Sequence, residues 1–404
     1  MSDPCSGVPR RVRHRISVAA AVLLFGCGDP EPGASGPTVQ IDTLPDGVVH
    51  VQNPAEGLWA PGEEWRLVEE LRIGTVEGDG PDAFGSMIPA LEVDDLGRIW
   101  VVDQMSHEVR VFDADGEHVR TLGGEGEGPG ELRMPFQIYR GPEGHMWVAD
   151  AMNLRLSVFD TAGTFQASHP RPSPTGFPLD TWGFGPDGSF LEVGMEMSGG
   201  PSSSAILFRL NADLEPVDTM ALPSVEREVR QVTTEGGRFG APVPFTPEAI
   251  SAVTPNHQLW TGVNDAFRLA RTTLEGDTLR VTEREWVPEP VTEGDVEAAL
   301  EQIDFFLEAG GEMDPAEFPS VKPAFRQILV DEDGRPWVAP FHASASAPWD
   351  RFHIFDPEGI YLGEVAADPP MAPGVVRFRG DRVYATVSDD LDVVHVIRYR
   401  VEGR

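Results

Sequence analysis

The sequence predicts an all-β chain of six four-stranded antiparallel sheets closed into a ring. Two observations carry this. A unit at Leu91 to Leu132 reads as four short strands and recurs along the chain, and its last copy lacks a fourth strand while an unpaired strand precedes the first copy.

Within the founding unit, the alternation Leu91/Val93, Ile99/Val101 and Val109/Val111 has the two-residue period of half-buried strands. Asp95-Leu96-Gly97 and Asp113-Ala114-Asp115-Gly116 supply the turn residues between them. A single sheet of this size cannot bury both of its faces, so copies must stack. Gly97, Trp100, Phe112 and Gly116 recur as Gly144, Trp147, Phe159 and Gly163, each shifted by 47 residues. Later copies are marked by Pro186-Asp187-Gly188 with Leu191, by His257 with Trp260, by Gly334 with Trp337, and by Gly380 with Tyr384. The sixth copy ends at Tyr399 to Gly403, where a fourth strand should begin, and Trp65 to Gly74 is the matching orphan. Pairing the two closes the ring and removes the open sheet edges.

Ahead of the repeats, residues 1–26 read as an export signal. Arg10, Arg11, Arg13 and Arg15 form a basic region, Ile16 to Phe25 an apolar core, and Leu24-Phe25-Gly26-Cys27 a lipobox-like end that predicts lipidation of Cys27. The apolar core is too short to span a bilayer. Residues 27–61, rich in Gly, Pro and acidic side chains, are expected to form a flexible tether, with Val48 to Val51 able to pair with a sheet edge. The repeats then occupy residues 62–404, interrupted at about 292–312 by one amphipathic helix. Thr292 to Asp295 caps that helix, and Val296, Ala299, Leu300, Ile303 and Leu307 form its apolar stripe.

Gly97 to Asp103, Val109 to Asp113 and Gly126-Glu-Gly-Pro-Gly130 resemble NHL-type repeats, and residues 65–404 resemble the six-bladed beta-propeller lipoproteins of bacterial envelopes. The resemblance implies a central channel lined by the innermost strand of each blade, with ligands meeting one rim. It fixes no reaction, since propellers host binding and catalysis alike.

A net charge of −35 excludes nucleic acid as a partner, because phosphate recognition needs clustered Lys and Arg. Loss of the signal takes Cys5 with it, leaving no thiol beyond Cys27 for a disulfide or a cysteine-ligated metal. No HExxH, GxSxG or CxxC occurs, and the glycine run Gly123 to Gly130 is acidic and opens no helix, so it reads as an interblade loop.

Residues that follow the second strand of each copy should gather on one face. There the chain offers Asp103, His107, Asp150, Asn153, Asn264, Asp265, His342, Asp389 and Asp390, with Lys322 nearby and two long loops, Met195 to Ser204 and Phe341 to Asp350. Two readings follow. In the first, a monomeric, membrane-anchored envelope lipoprotein presents this rim, without catalysis or cofactor, to a protein, peptide or glycan. In the second, Asp103, Asp150, Asn264 and Asp389 hold calcium and His107 or His342 acts as base, giving a metal-dependent hydrolase or lyase of lactonase-like kind. Against the second stands the habit of strand-end Asp and Asn of capping their own turns.

Overall fold

The computed structural model describes residues 38–404 apart from 77, 79, 86, 172–179, 197–203 and 235–236. The signal region, Cys27 and most of the Met195 to Ser204 loop lie outside the described residues.

Six four-stranded antiparallel blades follow one another. Blade 1 comprises Ala90–Val93, Ile99–Asp103, Glu108–Phe112 and His118–Gly123, and blade 2 comprises Pro135–Arg140, Met146–Asp150, Arg155–Phe159 and Phe165–Pro170. Blade 3 comprises Asp180–Phe184, Phe190–Glu196, Ser204–Leu210 and Pro216–Ala221, and blade 4 Ala249–Val253, Leu259–Val263, Arg268–Thr272 and Thr278–Arg284. Blade 5 comprises Phe325–Val330, Pro336–Pro340, Trp349–Phe355 and Tyr361–Met371. Blade 6 takes Val376–Arg379, Arg382–Ser388 and Val394–Glu402 from the end of the chain and its outer strand, Arg66–Ile73, from the beginning. That strand is antiparallel to its neighbour, with Ile73 opposite Val396 and Leu67 opposite Val401, so the ring closes as the orphan strand predicts.

In blades 1 and 5 the repeated Asp, Gly and Trp form one device. Asp94 Oδ1 accepts the Leu96 and Arg98 backbone N–H groups (2.9 and 3.0 Å), and Oδ2 accepts the Trp100 indole N–H (3.0 Å). Gly97 supplies the left-handed residue of this turn (φ 77°). In blade 5, Asp331 accepts the Asp333 and Arg335 N–H groups and the Trp337 indole (3.4 Å) in the same way. In blade 4, His257 takes the glycine's left-handed place (φ 57°). The anchored Trp100, Trp260 and Trp337 are fully buried, and the apolar core is divided into layers at each of the six blade-to-blade junctions.

Three features depart from the sequence expectation. Residues 40–53, placed within the tether, form a hairpin of Gln40–Thr43 and Val49–Asn53 on the outer edge of blade 4; Val49–Asn53 runs parallel to Thr278–Arg284, the edge pairing expected for Val48 to Val51, and Gln40–Thr43 is the added strand. The cause is the alternation around Val49 and Val51, whose second valine is fully buried. An unanticipated hairpin, Val229–Thr234 and Gly237–Pro242, stands between blades 3 and 4. The inserted helix carries the expected capping box between Thr292 and Asp295 but is broken at Ile303 into Glu293–Gln302 and Asp304–Glu308. Its apolar side, Ile303 and Phe306, packs on Ala241 and Val232 of that hairpin. No helix among the described residues is long and apolar enough to cross a membrane.

Candidate binding surfaces: the loop face and the channel

The connections after each second strand share an end of the ring with the interblade loops, because the second strand ends where the first begins. At this loop face the strand-end polar residues hold backbone. Asp103 is fully buried; it accepts the N–H groups of Gly85 and Ser106 (both 3.2 Å) and pairs with Arg110 (3.0 Å). Arg110 in turn donates to the carbonyls of Pro81 and Ala83, fastening the loop before blade 1. One blade on, Asp150 accepts the N–H groups of Arg133 and Met134 (both 3.0 Å) and the Asn153 amide (2.7 Å), while Asn153 also donates to Gly126 O (2.9 Å). Arg155 donates to the carbonyls of Glu127, Gly128 and Glu131, so the glycine run is an interblade loop clamped from beneath. Asn264 accepts Glu248 N–H (2.7 Å) and donates to Phe325 O (2.8 Å), joining blades 4 and 5.

The remaining rim residues are equally dispersed. His107 adopts φ 58° and its carbonyl accepts Gly124 N–H (2.9 Å). Asp389 accepts the Leu391 and Val393 N–H groups and meets His395 Nε2 (3.1 Å), which holds its carboxyl below the usual range. Asp265, His342 and Asp390 are exposed, and His342 Nδ1 accepts Ser344 N–H (3.1 Å). Lys322 lies apart from the rim set, bound to Asp295 (3.0 Å) at the helix cap. Asp103, Asp150, Asn264 and Asp389 therefore serve four separate loops, and no group of three or more His, Cys, Asp or Glu among the described residues is gathered to hold a metal ion.

The capping aspartates have a second effect. By folding each turn back on its own carboxylate, Asp103, Asp150 and Asp389 leave the residue two positions on pointing outward. These are Met105, Met152 and Leu391, which are 63%, 54% and 75% exposed on the consecutive blades 1, 2 and 6. Met87 and Leu154 are exposed beside them. Glu127, Asp390 and Asp392, in loops of the same face, are exposed as well.

The second concavity is the central channel, a cavity of about 360 Å³ lined by first strands of the blades. Glu92, Gln137, Ser251, Gln327 and Arg377, from blades 1, 2, 4, 5 and 6, contribute polar groups to it, with Tyr139, Phe184 and Phe378 adding aromatic surface. Arg377 Nε is 3.5 Å from Glu92 Oε2, and its terminal nitrogens donate to Gln137 Oε1 (3.4 Å) and Val376 O (2.9 Å). Burial raises the Glu92 carboxyl above its ordinary range, with Arg377, Arg140 and Arg379 opposing. At the turn-side mouth the charges are tightly matched: Asp95 bridges Arg140 (2.6 Å) and Arg379 (2.5 Å), and Glu332 holds Arg379 (2.7 Å). Rim-centred sequence reasoning passes over these residues. Their signal is a polar residue centred between first-strand neighbours, as in Leu91-Glu92-Val93, Phe136-Gln137-Ile138 and Val376-Arg377-Phe378.

The DUF5128 family, described as a 6-bladed beta-propeller, matches residues 85–163, which span blade 1 and most of blade 2. No curated protein matches the chain. Among solved structures, a candidate exported protein of Bacteroides fragilis NCTC 9343 is 10% identical, with 87% of this chain and 99% of that chain covered at a TM-score of 0.51. A DUF4221 member from Bacteroides vulgatus is 11% identical, covering 84% and 99% at 0.49, and virginiamycin B lyase from Staphylococcus aureus is 13% identical, covering 83% and 99% at 0.45. The likeness to the Bacteroides fragilis protein is one of fold and carries no activity across. The chain is a six-bladed β-propeller of four-stranded antiparallel blades, closed by the strand Arg66–Ile73 from ahead of the first blade.

Proposed function

We propose that this chain is an exported, envelope-anchored binding module whose loop face docks a protein or peptide partner, without catalysis. The observation that carries the reading is the arc of Met105, Met152 and Leu391, large apolar side chains held outward by capped turns on three consecutive blades. Flexible, polarisable Met side chains suit adaptable contact surfaces, and contiguous exposed apolar groups rimmed by polar ones mark interaction sites. The exposed acidic groups of the same face favour a partner segment that is basic as well as apolar. The strand-end polar residues that a hydrolase would use are consumed in holding loops, which supports binding over metal-assisted hydrolysis.

The export signal and Cys27 support anchoring by acyl chains, with the acidic linker giving reach from the membrane. Cell fractionation of Cys27→Ser checks this: the variant should leave the membrane fraction, and unchanged partitioning would contradict anchoring.

The test of docking is co-purification from envelope extracts with the triple variant Met105→Ser, Met152→Ser, Leu391→Ser beside the unaltered chain. These side chains are exposed, so the variant should melt as the parent does while losing the partner. Retention of the same partner by the variant would overturn the loop face as the docking surface.

A further inference from the structure

The channel carries an inference separate from docking at the loop face. Among the arginines that border it, Arg140 and Arg379 each hold carboxylates at 2.5 to 2.7 Å. Arg377 does not. Its closest carboxylate stands at 3.5 Å and its amide acceptor at 3.4 Å, both at the outer limit of hydrogen bonding, and its one short bond goes to the carbonyl of the preceding residue. A guanidinium half-screened from water gains most from a carboxylate that takes two of its N–H groups in parallel. In a chain of net charge −35, a cation left loosely matched inside the axial cavity is a selective feature.

The groups around it narrow the ligand. Glu92, Asp95 and Glu332 repel a multiply charged anion, so a single carboxylate fits better than a phosphate ester. Gln137 and Gln327 each offer both a donor and an acceptor, and Ser251 does the same, its hydroxyl lying 2.8 Å from Thr261 Oγ1. Such neutral two-way groups match hydroxyls, which also donate and accept. Phe184 and Phe378, only partly buried, provide faces against which the C–H side of a sugar ring can lie. The volume, about 360 Å³, lies at the small end of ligand cavities and suits one or two sugar units. We propose that the central channel binds a monocarboxylate sugar acid, its carboxylate on Arg377 and its hydroxyls on Gln137, Gln327, Ser251 and Glu92.

Proton linkage follows from the same geometry. A carboxylate on Arg377 removes part of the counter-charge that Glu92 has and adds an anion beside it, so Glu92 takes up a proton on binding. Arg140 and Arg379, the other cations facing Glu92, remain occupied by Asp95 and Glu332. Affinity should therefore rise as pH falls, in the direction burial already pushes Glu92.

The test is calorimetric titration of the full-length chain with sodium glucuronate and galacturonate, beside methyl glucoside, N-acetylalanine and inorganic phosphate. At least one uronate should bind, roughly tenfold or more tighter than the neutral glucoside, N-acetylalanine or phosphate. Arg377→Gln should lose about tenfold or more, Arg377→Lys less, and Glu92→Gln should flatten the pH dependence of binding. Thermal unfolding of each variant establishes that it folds, and the Glu92→Gln pH profile serves if the arginine variants do not. No uronate binding, equal affinity for N-acetylalanine or phosphate, undiminished binding by a folded Arg377→Gln, or an unchanged pH profile in Glu92→Gln would overturn the proposal. None of these results bears on docking at the loop face.

Discussion

Asn53 and Tyr361, 308 residues apart in sequence, are joined by a hydrogen bond of 2.8 Å from the Tyr361 N–H to Asn53 Oδ1. The same amide donates to Glu283 O and Gly359 O (both 3.0 Å), so one buried side chain satisfies backbone groups of blades 4 and 5. Asn53→Ala leaves these groups without partners, at a cost of about 3 kcal/mol of unfolding free energy. Asn53→Asp keeps the acceptor but turns a carboxylate on two carbonyls, and should be worse. Urea unfolding measures both, and an alanine variant as stable as the parent would mean that the N-terminal hairpin is not integral to the ring.

Asp103→Ala should destabilise the chain by about 3 to 5 kcal/mol, because it strands Arg110 in a buried site and frees the loop at Gly85. The loss should be the same in calcium and in chelator, since the carboxylate serves backbone N–H groups and a guanidinium. Thermal unfolding in both conditions decides. A calcium-dependent rise in Tm that vanishes in the variant would restore Asp103 as a metal ligand.

The loop Phe341 to Asp350 is held mainly by two side chains. Arg326 donates to the carbonyls of Ser344, Ala347 and Pro348, and Gln302 bonds both Ala343 O and Ala345 N–H. Burial lowers the Arg326 pKa to about 10, which leaves the guanidinium charged at neutral pH. Arg326→Ala should open the loop locally and raise its cleavage by thermolysin several-fold while the global melt shifts little. Unaltered cleavage would mean that the loop is ordered by other contacts.

His353 is buried beside Phe267, Phe355 and Tyr361, and burial followed by the charges of Arg284 and Arg351 depresses its pKa to about 3. The partly exposed carboxylate of Glu364, 3.5 Å away, does not offset this. The folded state keeps the ring neutral whereas the unfolded chain protonates it near its ordinary value of about 6.5. Its cost is therefore absent above that value, and stability falls as pH drops from about 6.5 toward 3. His353→Phe should remove this dependence, making the acid-side decline shallower by up to about 1.4 kcal/mol per pH unit. Parallel pH–stability curves for the two chains would contradict the assignment.

The architecture was legible because each copy writes its own turn chemistry. Asp94 and Gly97 ahead of Trp100, and Asp331 and Gly334 ahead of Trp337, are the same capped turn with the same anchored indole, and a 47-residue shift exposes the repetition. The closing strand was legible by subtraction. The hairpin at 229–242 was not, since its strands are mostly exposed and its partner is the inserted helix rather than a blade. The chemistry of the strand-end residues was not legible: whether Asp150 faces a ligand or the N–H groups of Arg133 and Met134 depends on an interblade loop whose path no local pattern dictates. Glu92 and Arg377 lie 285 residues apart, and only closure of the ring brings blades 6 and 1 together.

The most direct measurement of the central claim is site-specific photo-crosslinking of the full-length chain in its host, with the reactive residue at Met105, Met152 or Leu391 on the loop face and at Leu96 on the opposite, turn-bearing face. The four positions are similarly exposed, at 54% to 75%. A docking loop face predicts a discrete adduct of one size from the first three positions and none from Leu96. No adduct from the loop face, or the same adduct from Leu96, would contradict it.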